Sequence, residues 1–172
     1  MNKIISHLSG NSVSSNTSMA HFLYDKWHFG EKNGDKIDYS PLEALFLLEG
    51  KKMDVLFKGK KIGFDSLMIK FSRIDKKIHV KYIVFRDLRK KGYVVKSALK
   101  FGAEFRVYDK RGKNSEMHSK WLVFTEEDSK KISWHEFSSK NRVAHATRKN
   151  LLLAIVDSEK GITYYEVRWI KP

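Results

Sequence analysis

The stretch RVAHATRKNLLLAIVD, residues 142–157, changes character at one point. Up to Asn150 it carries two arginines, a histidine and a lysine; from Leu151 to Val156 every side chain is apolar. An unbroken apolar run of this length reads as a buried strand. Such a strand needs a sheet and elements to cover it. It does not need cations at its mouth, and those must face either solvent or something anionic.

With prolines only at 41 and 172, element boundaries come from pattern. SPLEALFLLEGKK writes a helix start: Ser40 caps, Pro41 suits the first helical position, and Glu43 completes a capping box, with Gly50 as the stop. HFLYDKWHFG, with EKNGDK after it, suggests strands and a polar turn. MDVLFKGKKIGF reads as a strand and turn, and FDSLMIKFSRI as a short helix with Leu67, Met68 and Phe71 on its apolar face. From residue 78, Ile78, Tyr82, Phe85 and Leu88 share one helix face, and Gly92 ends that helix. Strand-like YVVK, EFRVY and KWLVF follow. A helix over SWHEFSSKNRVAHATR comes next, with Ser133 and Glu136 in capping-box positions, and then LLLAIV and ITYYEVRWI. The expected fold is α/β (α+β): a small N-terminal α/β domain over 1–77 and a second domain over 78–172. The order of elements in the second gives it a largely antiparallel sheet flanked by helices.

Charge separates the two parts. Residues 1–77 hold 13 basic and 9 acidic residues (+4), and residues 78–172 hold 21 and 11 (+10). A chain at +14 repels itself unless a polyanion is near, which puts nucleic acid first among partners and an anionic membrane second. No cysteine is present, so disulfides, cysteine nucleophiles and cysteine-held zinc are excluded. No apolar run reaches the ~20 residues needed to span a bilayer, and MNKIISHLSGNSVSSN does not resemble a signal peptide. The expectation is an intracellular, cytoplasmic protein.

Three residues can do chemistry together. Tyr108 ends one strand, His118 precedes the next, and Lys149 stands at the entrance to LLLAIV. If those strands are neighbours, a phenol, an imidazole and an ammonium meet among Arg106, Arg111, Arg142 and Arg148. RNA carries its own nucleophile, the ribose 2′-OH. Cutting it requires removal of that proton, protonation of the departing 5′-oxygen and compensation of the extra charge on phosphorus. Histidine, at a reference pKa of ~6.5, suits the proton donor. Lysine suits the charge, and tyrosine becomes a usable base only where cations favour its phenolate. Such a reaction needs no metal or other cofactor and leaves a 2′,3′-cyclic phosphate and a 5′-hydroxyl. Each residue alone has a more ordinary role: packing for Tyr108, an exposed surface for His118, a solvated flank for Lys149. Convergence is what makes the chemistry.

Several separate blocks carry a resemblance: KYIVFRDLRKKGYVVKSALKFGAEFRVYDKRG, MHSKWLVF, RVAHATRKNLLLAIVD and ITYYEVRWIKP. Together they resemble the archaeal tRNA-splicing endonucleases, and SPLEALFLLEG resembles that family's N-terminal domain. The resemblance implies an endonuclease that excises introns from precursor tRNA at a bulge–helix–bulge, with a C-terminal domain like the restriction-nuclease core. It implies Tyr108 as general base, His118 as general acid and Lys149 as stabilising cation. Arg142 matches an arginine that stacks on an extruded base; Trp169, with Arg168 second, is the candidate for the opposite face, and Arg148 is a further RNA contact. Restriction nucleases carry a metal-binding Glu-x-Lys; here the only one is Glu49-Gly50-Lys51, in the other domain, so no metal site is expected.

Two bulges need two active sites, and the resemblance implies a four-unit assembly, either a homotetramer or a heterotetramer with a structural subunit. ITYYEVRWI is a pairing edge for a two-fold dimer. Glu126, Glu127 and Asp128 form an acidic island expected to dock on an opposing subunit. His145 and His135 read as structural. A non-catalytic RNA-binding module and a metal-dependent DNA nuclease are the competing readings.

Overall fold

A computed structural model describes residues 3–109 and 118–172, and Arg111 lies outside them. The chain forms two compact units, Met1–His79 and Val80–Pro172. Each has its own sheet.

The first unit runs β1 (Ile4–Ser9), β2 (Ser12–Ser15), α1 (Ser18–Trp27), β3 (Glu31–Asn33), β4 (Lys36–Tyr39), α2 (Pro41–Glu49), β5 (Met53–Phe57), β6 (Lys60–Ile62) and α3 (Phe64–Ser72). Its six strands lie in the order β3-β4-β2-β1-β5-β6, with β1 and β5 parallel and the other pairs antiparallel. One expectation is corrected here: HFLYDKW is helix α1, not a strand. Its aromatic content suggested a strand. The side chains that are buried, Ala20 and Leu23, instead lie three apart on one helix face, and the Thr17 hydroxyl accepts from Ala20 N–H to start it. The EKNGDK turn does join two strands, β3 and β4.

Helix α2 begins as its sequence demands. The Ser40 hydroxyl accepts from Glu43 N–H, and the Glu43 carboxylate accepts from Ser40 N–H at 3.0 Å. Buried Glu43 also accepts from Gly30 N–H at 2.9 Å. Gly30 is irreplaceable on two counts: φ is +77°, and a Cβ there would lie 2.3 Å from Ile37 Cγ2. Gly50 follows the helix at φ −74°, so the left-handed conformation that closes it falls to Lys51, at φ +54°.

The second sheet begins after α4 (Ile78–Lys90), which spans the division between the units, and comprises β7 (Val94–Ser97), β8 (Phe105–Tyr108), β9 (Trp121–Glu127), β10 (Asn150–Val156) and β11 (Ile162–Val167). A 3-10 turn, Leu99–Phe101, follows β7, and α5 (Trp134–Ala146) joins β9 to β10. The order is β11-β10-β9-β8-β7, antiparallel except for β9 and β10. That exception has a cause. A helix between two neighbouring strands carries the chain back to the starting end, so the second strand must run parallel to the first.

Helices cover both faces. On one, Phe85 of α4 packs on Phe105, ring centroids 5.8 Å apart, and the Tyr164 hydroxyl donates to Asp87 at 2.8 Å. On the other, Phe137, Val143 and Ala144 of α5 pack with Leu122, Phe124 and Leu151. Interior β10, next to edge strand β11, is therefore apolar throughout LLLAIV, as a strand covered on both faces must be. At the start of α5 the Ser133 hydroxyl accepts from Glu136 N–H. The Glu136 carboxylate turns instead to the Lys140 ammonium, 3.1 Å away.

Candidate active site

Sheet register brings the expected residues to one end. Val107, Trp121 and Asn150 are partners across β8, β9 and β10. Tyr108 follows Val107, Lys120 precedes Trp121, and Lys149 precedes Asn150. Because β8 runs antiparallel to β9, and β10 parallel to it, all three neighbours lie at the same edge. Two backbone bonds hold the alignment: Lys120 N–H to Val107 C=O at 2.8 Å and Asn150 N–H to Lys120 C=O at 3.0 Å. His118 comes two residues before Lys120, exposed, at this same end.

Side-chain alternation adds the face. Arg106 pairs with Leu122, whose side chain is in the α5-facing core. Tyr108 is two residues beyond Arg106, so both sit on that face. Leu151 is in the same core, which puts Lys149, two residues before it, there too. The contacts agree: the Arg106 guanidinium carbon is 5.9 Å from the Tyr108 ring centre, and Lys149 Nζ is 5.8 Å from that of Phe101.

The end of α5 places Lys149. Thr147 caps the helix, Arg148 takes a left-handed φ of +56°, and Lys149 N–H returns to Ala144 C=O at 2.9 Å. Lys149 Nζ then donates to Thr147 C=O at 2.9 Å, a cation on the negative end of a helix. Burial, followed by the Arg106 guanidinium and the Lys100 ammonium, holds the Lys149 ammonium below the usual lysine range. Sequence reasoning named Arg106 only as surrounding charge and passed over Lys100 and Phe101, because no strand pattern shows that the 3-10 turn folds toward Lys149.

The RNA-facing candidates separate. Arg142 is exposed on α5, and His145, one turn on, also exposed, packs on the exposed Trp169 with ring centroids 4.4 Å apart. Arg168 is engaged elsewhere: its Nε and Nη2 donate to Glu166 Oε1 at 2.9 and 2.8 Å. Arg148 is exposed in the turn after α5. At the opposite end of β9, Glu126 is buried and paired with Lys130 at 3.0 Å, so the exposed acidity belongs to Glu127 and Asp128. Among the described residues no group of three or more His, Cys, Asp or Glu is arranged to hold a metal ion, and no helix is long and apolar enough to cross a membrane.

Two α/β units, the second with a phenol, a histidine and a lysine at the basic end of a mixed sheet, define a class: a two-domain chain built for anionic substrates. Family models resolve it further. That of the tRNA intron endonuclease catalytic C-terminal domain matches residues 78–164, and that of the N-terminal domain matches residues 4–68. The tRNA-splicing endonuclease of Pyrococcus horikoshii is 42% identical over 96% of this chain and 95% of its own length. That of Pyrococcus abyssi is 41% identical over 99% of both. That of Nanoarchaeum equitans is 42% identical over 76% of this chain and 88% of its own. The chain belongs to the tRNA intron endonuclease family.

Proposed function

We propose that the chain is a catalytic subunit of a tRNA-splicing endonuclease that cuts precursor tRNA at bulge–helix–bulge junctions without a metal ion. The observation that carries this reading is the register of β8, β9 and β10, which aligns the positions of Tyr108 and Lys149 at one sheet end, with His118 leading into it. Tyr108 takes the 2′ proton, with the Arg106 guanidinium carbon 5.9 Å from its ring centre. The 2′-oxygen attacks phosphorus, and the 5′-oxygen leaves with a proton from His118. Lys149 balances the charge that develops on the phosphoryl oxygens. The products are a 2′,3′-cyclic phosphate and a 5′-hydroxyl.

Recognition uses the α5 edge. An extruded base stacks between Arg142 and Trp169, a contact of about 1–3 kcal/mol that tolerates any base. Trp169 suits this better than Arg168, whose guanidinium is committed to Glu166. The N-terminal unit, Met1–His79, serves assembly.

The test is a bulge–helix–bulge RNA in chelator. The wild type should cut it and leave a cyclic end, and a 2′-deoxy nucleotide at the scissile position should abolish cutting. His118→Ala should lower the saturating rate by ~10²–10⁴-fold with binding little changed. Undiminished cleavage of the deoxy substrate sinks the mechanism; tight binding with no product leaves an RNA-binding module.

A further inference from the structure

The cations at the sheet end are not equally accounted for. Arg106 is half-buried, and its Nε is buried without a hydrogen-bond partner among the described residues. A buried guanidinium N–H left unpaired loses its water without a replacement, so native folds rarely keep one without a use. Arg106 makes no ion pair among the described residues, nor does Lys149 or Lys100. Three cations thus gather near this end of the sheet with no carboxylate of the described residues paired to them. Burial first, and then this crowding, already disfavours the charge of Lys149. Arg106 also has fixed surroundings: it lies within β8, between Lys96 of β7 and Leu122 of β9, where backbone pairing restrains it on both sides.

We propose that Arg106 seats the scissile phosphodiester, its guanidinium donating to a non-bridging oxygen beside Lys149, with Lys100 at the rim. This rests on the reading that Tyr108, His118 and Lys149 cut RNA. A planar guanidinium offers directed donors where Lys149 offers a point charge. The pair divides the work: Lys149 answers the growing charge, and Arg106 fixes the direction of the phosphoryl oxygens relative to the Tyr108 hydroxyl. The carboxylates missing from the cluster are replaced by the phosphodiester when RNA binds.

The experiment compares the full chain with Arg106→Met and Arg106→Lys, using single-turnover cleavage of a bulge–helix–bulge RNA at saturating protein. Arg106→Met should lower the saturating rate by ~10²–10³-fold, the cost of losing one donor to a developing oxyanion. Half-saturation should move only a few-fold. Arg106→Lys should fall between. The decisive readout is sulfur in place of each non-bridging oxygen at the cut. In the wild type one diastereomer should be cut more slowly than the other, and in Arg106→Met that difference should shrink toward none. A packing role for Arg106 would leave the sulfur preference unchanged. Were Arg106→Met unable to fold, Arg106→Lys and the sulfur preference would still decide. Wild-type saturating rates, or an unaltered preference, in both variants overturn the assignment. His118→Ala is the control. If it cuts like the wild type, the catalytic reading fails and takes the Arg106 assignment with it; if it is slowed while Arg106→Met keeps the wild-type rate and sulfur preference, only the assignment fails.

Discussion

At the scale of single residues, the site is a place where folding and function pull apart. Lys149 is held below the ordinary lysine range by burial, then by Arg106 and Lys100. A base whose folded value is lowered penalises folding while it is charged. The penalty is fully present below the lowered value and fades as pH rises from there toward the unfolded value of ~10.4. The wild type should therefore gain stability relative to Lys149→Met as pH is raised from 7 to 10. Calorimetric Tm values for the two proteins check this, and a trend in the other direction refutes it. Cleavage should move oppositely. Under the proposed mechanism the Lys149 ammonium is lost over the same window, and Lys149→Met should cut ~10²–10³-fold more slowly at pH 7. Trp169 is an aromatic ring half in water, packed against His145.

At the scale of elements, α5 matters most, because it both covers the sheet and delivers Arg142, His145 and Lys149. Ser133 holds its first turn through one hydroxyl. Ser133→Ala should cost ~1 kcal/mol and lower Tm by about 2–4 °C, with cleavage at moderate temperature unchanged. A loss of activity without a loss of Tm would mean that Ser133 does something besides capping. Much of this scale could be read from local chemistry. Ser40, Pro41 and Glu43 announced α2, and the spacing of Ile78, Tyr82, Phe85 and Leu88 announced α4, with all four side chains buried. Helix α1 could not be read that way, since Phe22, Tyr24 and Trp27 favour strands and only tertiary burial of Ala20 and Leu23 decides for a helix. The pairing of Tyr108 with Lys120 and Lys149 required strand order and register, which are non-local. The dependence of Lys149 on Arg106 required side-chain packing, which strand patterns do not encode.

At the scale of the whole molecule, charge and valency decide. The second half carries +10 of the +14, so the field that draws RNA in belongs to the unit that holds the candidate site. If the substrate has two junctions, as proposed, two sites at a fixed separation are needed, and the described residues of one chain form one candidate site. The β11 edge, with Tyr165 exposed, offers backbone for two-fold pairing, while Glu127 and Asp128 lie at the far end of β9. If they dock on an opposing subunit, light scattering should give four copies of the 20.1 kDa chain, and Glu127→Lys with Asp128→Lys should halve that mass by leaving β11 dimers. The sites would remain intact in those dimers, so cleavage of both junctions of one RNA should fall more than binding of a single bulge. An unchanged mass for the doubly substituted chain removes the acidic loop from the assembly. A wild-type monomer that cuts both junctions of one RNA in a single binding event removes the assembly itself.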